Sequence, residues 1–176
     1  MFAVRDAGEA DGPGELHWPF GFSPDLSDLC AYGEVRIPAS PAAVFVCLTE
    51  ICAWARDFTT RDVGIVPSAA ALRTESELAF RLDRVPVRAQ VVACRPGRCL
   101  IWFEHGVDLD VYQEWLLTVL PDGTRVHLGL AARGAAAISY RESDPVGADR
   151  TVNRWLAALR GEVCRARRLP PGPGRR

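Results

Sequence analysis

The stretch from Asp144 to about Arg168 constrains the fold more than any other part of the chain. Val152, Leu156, Leu159 and Val163 recur there at helical spacing with Trp155 beside them, while Arg150, Arg154 and Glu162 fall on other faces. The pattern predicts one long helix, about 36 Å from end to end at 1.5 Å per residue. Asp144 is suited to cap its first turn, Pro145 to the next position where no N–H is needed, and Pro170-Pro171 forbids continuation. Such a stripe needs a partner surface. Burying these aliphatic side chains is worth on the order of 6–12 kcal/mol gross, an upper bound because the unfolded chain already hides part of that area.

The partner is expected to be a sheet built from the preceding residues. Tyr32 to Ile37 alternates, with Gly33, Val35 and Ile37 on one face. Ser40-Pro41 then starts a helix carrying Val44, Phe45 and Leu48, and a second short helix follows around Ile51 to Arg56 with Trp54 on it. Beyond it, strand-like runs follow one another with only turn residues between. Thr74 to Leu82 sets Ser76, Leu78, Phe80 and Leu82 on one face; Val85 to Ala93 does the same with Val85, Val87, Ala89 and Val91. Cys99 to Glu104 is apolar on both faces, so parity does not orient it. Val111 to Leu120 places Val111, Gln113, Trp115, Leu117 and Val119 opposite Tyr112, Glu114 and Thr118. Asp122-Gly123 reads as a two-residue hairpin turn into Arg125 to Arg133, with Val126, Leu128 and Leu130 inward. Short turns between consecutive strands favour antiparallel pairing. The predicted order is strand, two helices, about six antiparallel strands and a long helix, an α+β arrangement.

Residues 1–29 are rich in Gly and Pro and read as a loose N-terminal arm, although His17, Trp18, Phe20 and Phe22 give it means to dock. Residues 30–169 form the single domain, and 170–176 a disordered basic tail. At 176 residues with 48% apolar content the chain supports one sizeable core. A formal charge of −1 provides no global attraction for nucleic acid or anionic membrane. The Arg-rich end, from Arg165 to Arg176, is accounted for by the helix dipole, and no aromatic residues are interleaved to suggest RNA contact. No apolar run is long enough to span a membrane, and the N-terminus lacks a signal-peptide core, so a cytoplasmic location is expected.

The six cysteines, Cys30, Cys47, Cys52, Cys94, Cys99 and Cys164, contain no C-x-x-C pair, and reduced thiols are expected. Only Cys94 and Cys99, on either side of Arg95-Pro96-Gly97-Arg98, have a spacing that could bring them face to face across a hairpin. The three histidines are scattered without ligand spacing. There is no glycine-rich phosphate loop and no Gly-x-Ser-x-Gly elbow. Neither metal nor other cofactor is expected.

Several segments taken in order carry a resemblance: Arg36-Ile-Pro-Ala-Ser-Pro-Ala-Ala-Val-Phe-Val, Trp54, Val85-Pro-Val-Arg-Ala-Gln-Val-Val, Pro96-Gly-Arg, Trp115-Leu-Leu-Thr, Asp122-Gly-Thr-Arg-Val and Arg154-Trp-Leu-Ala-Ala-Leu-Arg. From about Ala31 to Arg168 the chain resembles the SRPBCC (START-like) superfamily, in its polyketide cyclase/dehydrase and lipid-transport branch. The resemblance implies a helix-grip fold, in which a curved antiparallel sheet wraps the long C-terminal helix around a deep pocket.

On that fold the pocket wall is formed by Leu78, Phe80, Val87, Ala89, Gln113, Trp115, Leu128 and Leu130, with Trp155 and Leu156 from the helix. Such a wall suits an apolar or aromatic guest. A solid core of the same side chains is the plainer alternative. Gln113 is the polar member of its inward set and could orient a carbonyl, or else bond to neighbouring backbone; it cannot exchange protons at neutral pH. Glu104 and His105 end a strand beside Gly106 and the acidic Asp108-Leu109-Asp110. At a pocket mouth one of them could take the acidic proton between two ketones while Tyr112 steadies the enolate; solvated strand-end charges are the alternative. His127 alternates with inward residues and is expected at the surface. The functional expectation is binding of a hydrophobic, polyketide-like or lipid-like small molecule, with or without aromatase/cyclase or dehydratase activity. A carrier or sensor with the same pocket, and a protein–protein module of the same superfamily, are the other readings.

Overall fold

Six strands form one open antiparallel sheet in the order β1-β6-β5-β4-β3-β2. The computed structural model describes residues 15–54, 71–82 and 85–168. Its elements are β1 (Leu29–Ile37), α1 (Pro41–Thr49), α2 (Ile51–Trp54), β2 (Glu77–Leu82), β3 (Val85–Arg95), β4 (Cys99–Gly106), β5 (Leu109–Leu120), β6 (Gly123–Arg133), α3 (Ala135–Ser143) and α4 (Gly147–Arg168). Strands β2 to β6 are a meander joined by short turns, and β1 closes on the far side of β6. Five strands therefore follow α2 among the described residues, where the sequence suggested about six.

Local signals account for most of these elements. Ser40 Oγ accepts from the amide of Ala43 and Pro41 opens α1, the predicted cap. Leu120 pairs with Gly123, so the β5–β6 turn residues are Pro121 and Asp122, not Asp122 and Gly123. A side chain at Gly123 would run into the Ile37 carbonyl, which explains the glycine at the first position of β6. The β3–β4 register slips between Val91 and Ala93, a bulge that lets Val91 and Cys94 share one face. Cys94 lies opposite Leu100 while Cys99 lies opposite Arg95, so the two thiols occupy opposite faces of the sheet, and both are free.

The long helix begins later than the sequence suggested. Asp144 terminates α3, its amide donating to the Tyr140 carbonyl, and its carboxylate meets Arg150 instead of capping α4. Gly147 starts α4 because the Tyr140 hydroxyl and the Asp144 carboxylate occupy the space a Cβ would need. Helix α3 has no counterpart in the sequence reading: Ala137 is its one buried residue, so it carries almost no periodic signal.

Helix α4 buries Val152, Trp155, Leu156, Leu159 and Val163. It lies chiefly against β1, with α1, α2, α3 and β6 also in contact. The main core fills the space between this helix and the sheet. A second, smaller core covers the other side of the sheet, where Phe22 packs with Cys99, Ile101, Tyr112 and Ala131, flanked by Trp18, Phe103 and Leu116. Residues 15–28 of the segment read as an arm thus act as a strap on the outer face. A Cβ at Gly129 would collide with Leu16 and Trp18, so this glycine is what lets the strap lie close. Residues 1–14 and 170–176 lie outside the described residues, as do Ala55 and Arg56 at the end of the expected second helix.

Candidate functional site

On the helix side of the sheet, four indoles surround a small polar group. The rings of Trp54, Trp115 and Trp155 stand edge to face at 5.6–6.1 Å, and Trp102 lies 6.3 Å from Trp115 and 6.5 Å from Trp155. Strand parity places Leu100, Trp102 and Glu104 of β4 on this face, opposite Trp115, Gln113 and Val111 of β5. Trp54 reaches it from α2, its Nε1–H donating to the Cys47 carbonyl at 2.7 Å.

Glu104 and Gln113 are both fully buried here. The Trp102 Nε1–H donates to Glu104 Oε1 at 2.8 Å, while Glu104 Oε2, both amide atoms of Gln113 and Trp115 Nε1 find no hydrogen-bond partner among the described residues. An enclosed amide left in this state costs a few kcal/mol, so the fold carries unsatisfied polar capacity inside an aromatic cluster. Among the described residues no other carboxyl and no basic side chain is buried on this face. Burial pushes the Glu104 carboxyl up to about 8, partly offset by the Trp102 hydrogen bond. At neutral pH it is a protonated acid, able to donate a hydrogen bond or a proton.

The other two residues grouped with it by sequence lie elsewhere. Tyr112 faces the outer side, where its hydroxyl donates to Glu114 Oε2 at 3.1 Å and to the His17 carbonyl at 2.7 Å. Burial and the adjacent Glu114 carboxylate raise the phenol above its ordinary range. Glu114 is itself buried and also accepts from the His17 amide at 2.6 Å, with His17 Nδ1 3.2 Å from its other oxygen. These contacts hold the strap. His105 is half exposed and lies 2.7 Å from Asp110 across the β4–β5 hairpin. Both line an open cleft of about 740 Å³ on the outside, together with Phe20, Phe22, Phe103 and Arg133. Strand alternation sends Glu104 inward and its neighbour His105 outward, so the proposed triad of Glu104, His105 and Tyr112 does not assemble.

Most of the residues expected to form an apolar wall lie in the main core. Leu78, Val87, Ala89, Trp115, Leu128, Leu130, Trp155 and Leu156 are all buried in the main core with Gln113 among them. Phe80 is described through its backbone, which pairs with Val87. Sequence reasoning missed Trp102 and Trp54. Cross-strand pairing of Trp102 with Gln113 is the signal that places the first, and it becomes visible only once the register is known. His127 lies outward near Glu34, where partial burial lowers its basicity. Among the described residues no three His, Cys, Asp or Glu side chains gather as a metal site. No described helix is long and apolar enough to cross a membrane.

The fold and site define an α+β protein whose antiparallel sheet and C-terminal helix pack around a cluster of indoles, with Glu104 the one acid buried on that face among the described residues. Solved structures share this fold. A hypothetical protein from Helicobacter pylori, jhp0584, superposes with a TM-score of 0.73 at 19% identity over 88% of this chain and 99% of that one. KanY gives 0.58 at 18% identity over 77% of this chain and 97% of its own. DynU16, a protein of the dynemicin biosynthetic locus, gives 0.51 at 17% identity over 77% of this chain and 46% of its own. No family model matches the chain, and no curated protein matches it in sequence.

Proposed function

We propose that this chain is a START-like protein of helix-grip architecture that holds a hydrophobic, polyketide-like or lipid-like small molecule between its sheet and α4. The element order, the resemblance of the ordered segments and the likeness to a protein of a biosynthetic locus support the fold-level part of this reading. The observation that carries the functional part is Gln113: a fully enclosed amide with neither atom bonded among the described residues, on the same face of the sheet as Glu104 and Trp115. Polar groups left open in an aromatic chamber match the way small-molecule sites are built, with an apolar wall for affinity and a few polar atoms for orientation.

A catalytic version follows from Glu104. A protonated carboxyl with a pKa near 8 can give its proton to a ketone oxygen, or to a hydroxyl that departs as water, and the carboxylate it becomes can take the proton lost from the adjacent carbon, while the wall folds a flexible chain so that its carbons meet. Gln113 would orient the carbonyl without exchanging protons. The carrier or sensor version is favoured by the same inventory, since Glu104 is the one acid–base group buried in the chamber among the described residues.

Native mass spectrometry of the purified protein is the test. A retained hydrophobic small molecule, lost on denaturation, is the expected result; a protein that retains nothing and binds none of a panel of polyketide mimics and fatty acids would refute the reading. If a guest binds but the wild type cyclises or dehydrates a polyketide mimic no faster than buffer, the chain is a carrier; if the wild type is active and Glu104→Gln is equally fast, Glu104 has no part in the reaction.

A further inference from the structure

We propose that the interior site is selective for uncharged guests bearing a hydroxyl or carbonyl head, read jointly by Glu104 and Gln113. The proposal rests on the pocket reading above and goes beyond it by naming the head group that the chamber accepts and the charges that it refuses.

The first argument is placement. Gln113 pairs with Trp102, and Glu104 pairs with Val111, so Glu104 and Gln113 are diagonal neighbours on one face of adjacent strands. Diagonal neighbours stand about 7–8 Å apart, close enough for long polar side chains to reach a common atom. Trp115 is the next residue of β5 on that face, and its ring packs against Trp102 and Trp155. One guest head can therefore meet Glu104 and Gln113, and Trp115 flanks Gln113 on the side away from Glu104.

The second argument is hydrogen-bond valence. Because the Trp102 N–H already occupies Glu104 Oε1, the acid proton belongs on Oε2, the oxygen with no partner among the described residues. The chamber then offers donors from Glu104, from the Gln113 NH2 and from Trp115, and one acceptor, the Gln113 carbonyl. A guest oxygen that accepts two hydrogen bonds, with a hydroxyl or enol hydrogen nearby for the Gln113 carbonyl, satisfies two of these donors and the acceptor. A bare hydrocarbon leaves it unmet.

The third argument is charge. Every basic side chain among the described residues lies outside the buried set, so a carboxylate guest would meet no counter-ion among them and would enter at high desolvation cost. An ammonium guest would face donors on most sides, with the neutral Gln113 carbonyl as its one acceptor and no carboxylate to balance its charge unless Glu104 gave up its proton.

Four naphthalene probes test this at pH 6.5: naphthalene, 2-naphthol, 2-naphthoate and 1-naphthylmethylammonium, with affinity read from quenching of the interior tryptophans. The expected ranking is 2-naphthol above naphthalene by about fivefold, the net contribution of one hydrogen bond, with both ions at least tenfold weaker than 2-naphthol (about the cost of one uncompensated polar group). Gln113→Leu should bring the naphthol-to-naphthalene ratio close to one. Naphthalene binding as tightly as 2-naphthol, or either ion binding more tightly, overturns the proposal while leaving the pocket reading intact. Failure of all four probes overturns both. If Gln113→Leu does not fold, the wild-type ranking alone decides.

Discussion

Glu104 and Glu114 are both enclosed by protein on adjacent strands of one sheet, yet they face opposite sides and meet opposite environments. Glu114 receives hydrogen bonds from the His17 amide and the Tyr112 hydroxyl, and His17 Nδ1 lies beside its second oxygen. Glu104 receives one, from Trp102. The first carboxylate fastens a strap. The second keeps one oxygen without a hydrogen-bond partner among the described residues.

Stability should fall as pH rises through the neutral range because of Glu104. Its folded pKa is about 8 against 4.5 when unfolded, so between these values the unfolded chain has released a proton that the folded chain keeps. Below the lower value both states are protonated and stability is undiminished; above the upper both are ionised and the loss is complete. Urea midpoints at pH 5, 7 and 8.5 should decline by an amount worth up to a few kcal/mol, and Glu104→Gln should flatten that decline. An unchanged slope in the variant would remove Glu104 as its source.

Tyr112→Phe should destabilise the protein by about 1–2 kcal/mol, because it deletes the donor shared by Glu114 and the His17 carbonyl. Guest affinity should not move, since Tyr112 lies on the outer face. Chemical denaturation and a binding titration on the same preparation check both halves. A loss of binding without a loss of stability would return Tyr112 to the interior site.

Gly129→Val should release the strap. The new side chain would occupy the positions of Leu16 and Trp18, while the strand it sits on keeps its backbone pairing with Tyr32 and Glu114. Limited proteolysis should then cut within residues 15–22 well before the sheet unfolds, whereas the wild type resists. Equal protection in both proteins would show that the strap holds without this contact.

Leu156→Ala should cost about 2–5 kcal/mol, as is usual when a buried leucine is truncated. Leu156 is 2% exposed and lies at the junction of α4 with β1, where its methyl group comes close to Gly33. Thermal unfolding by circular dichroism gives the measurement; a change below about 1 kcal/mol would mean that neighbouring side chains collapse into the gap.

Much of the architecture was legible in local patterns. Alternation in Val85 to Val91 and in Val111 to Leu117 marked strands and their inward sets, Ser40-Pro41 marked a helix start, and the stripe on α4 marked the face that would be buried. Asp144 misled because the same residue types that open a helix also end one, and α3 was silent because a helix burying one alanine leaves no period to read.

For the site, sequence by itself determined which residues of β5 share a face, since alternation is a property of the strand alone, and so it isolated Gln113 among apolar neighbours. Only the tertiary structure decided the orientation of β4. Its residues are apolar on both sides because both sides are covered, by the helices on one and by the strap on the other, and a strand buried twice carries no parity. Pairing with β5 settles which side Glu104 takes, and that places the acid among the indoles and His105 in the outer cleft.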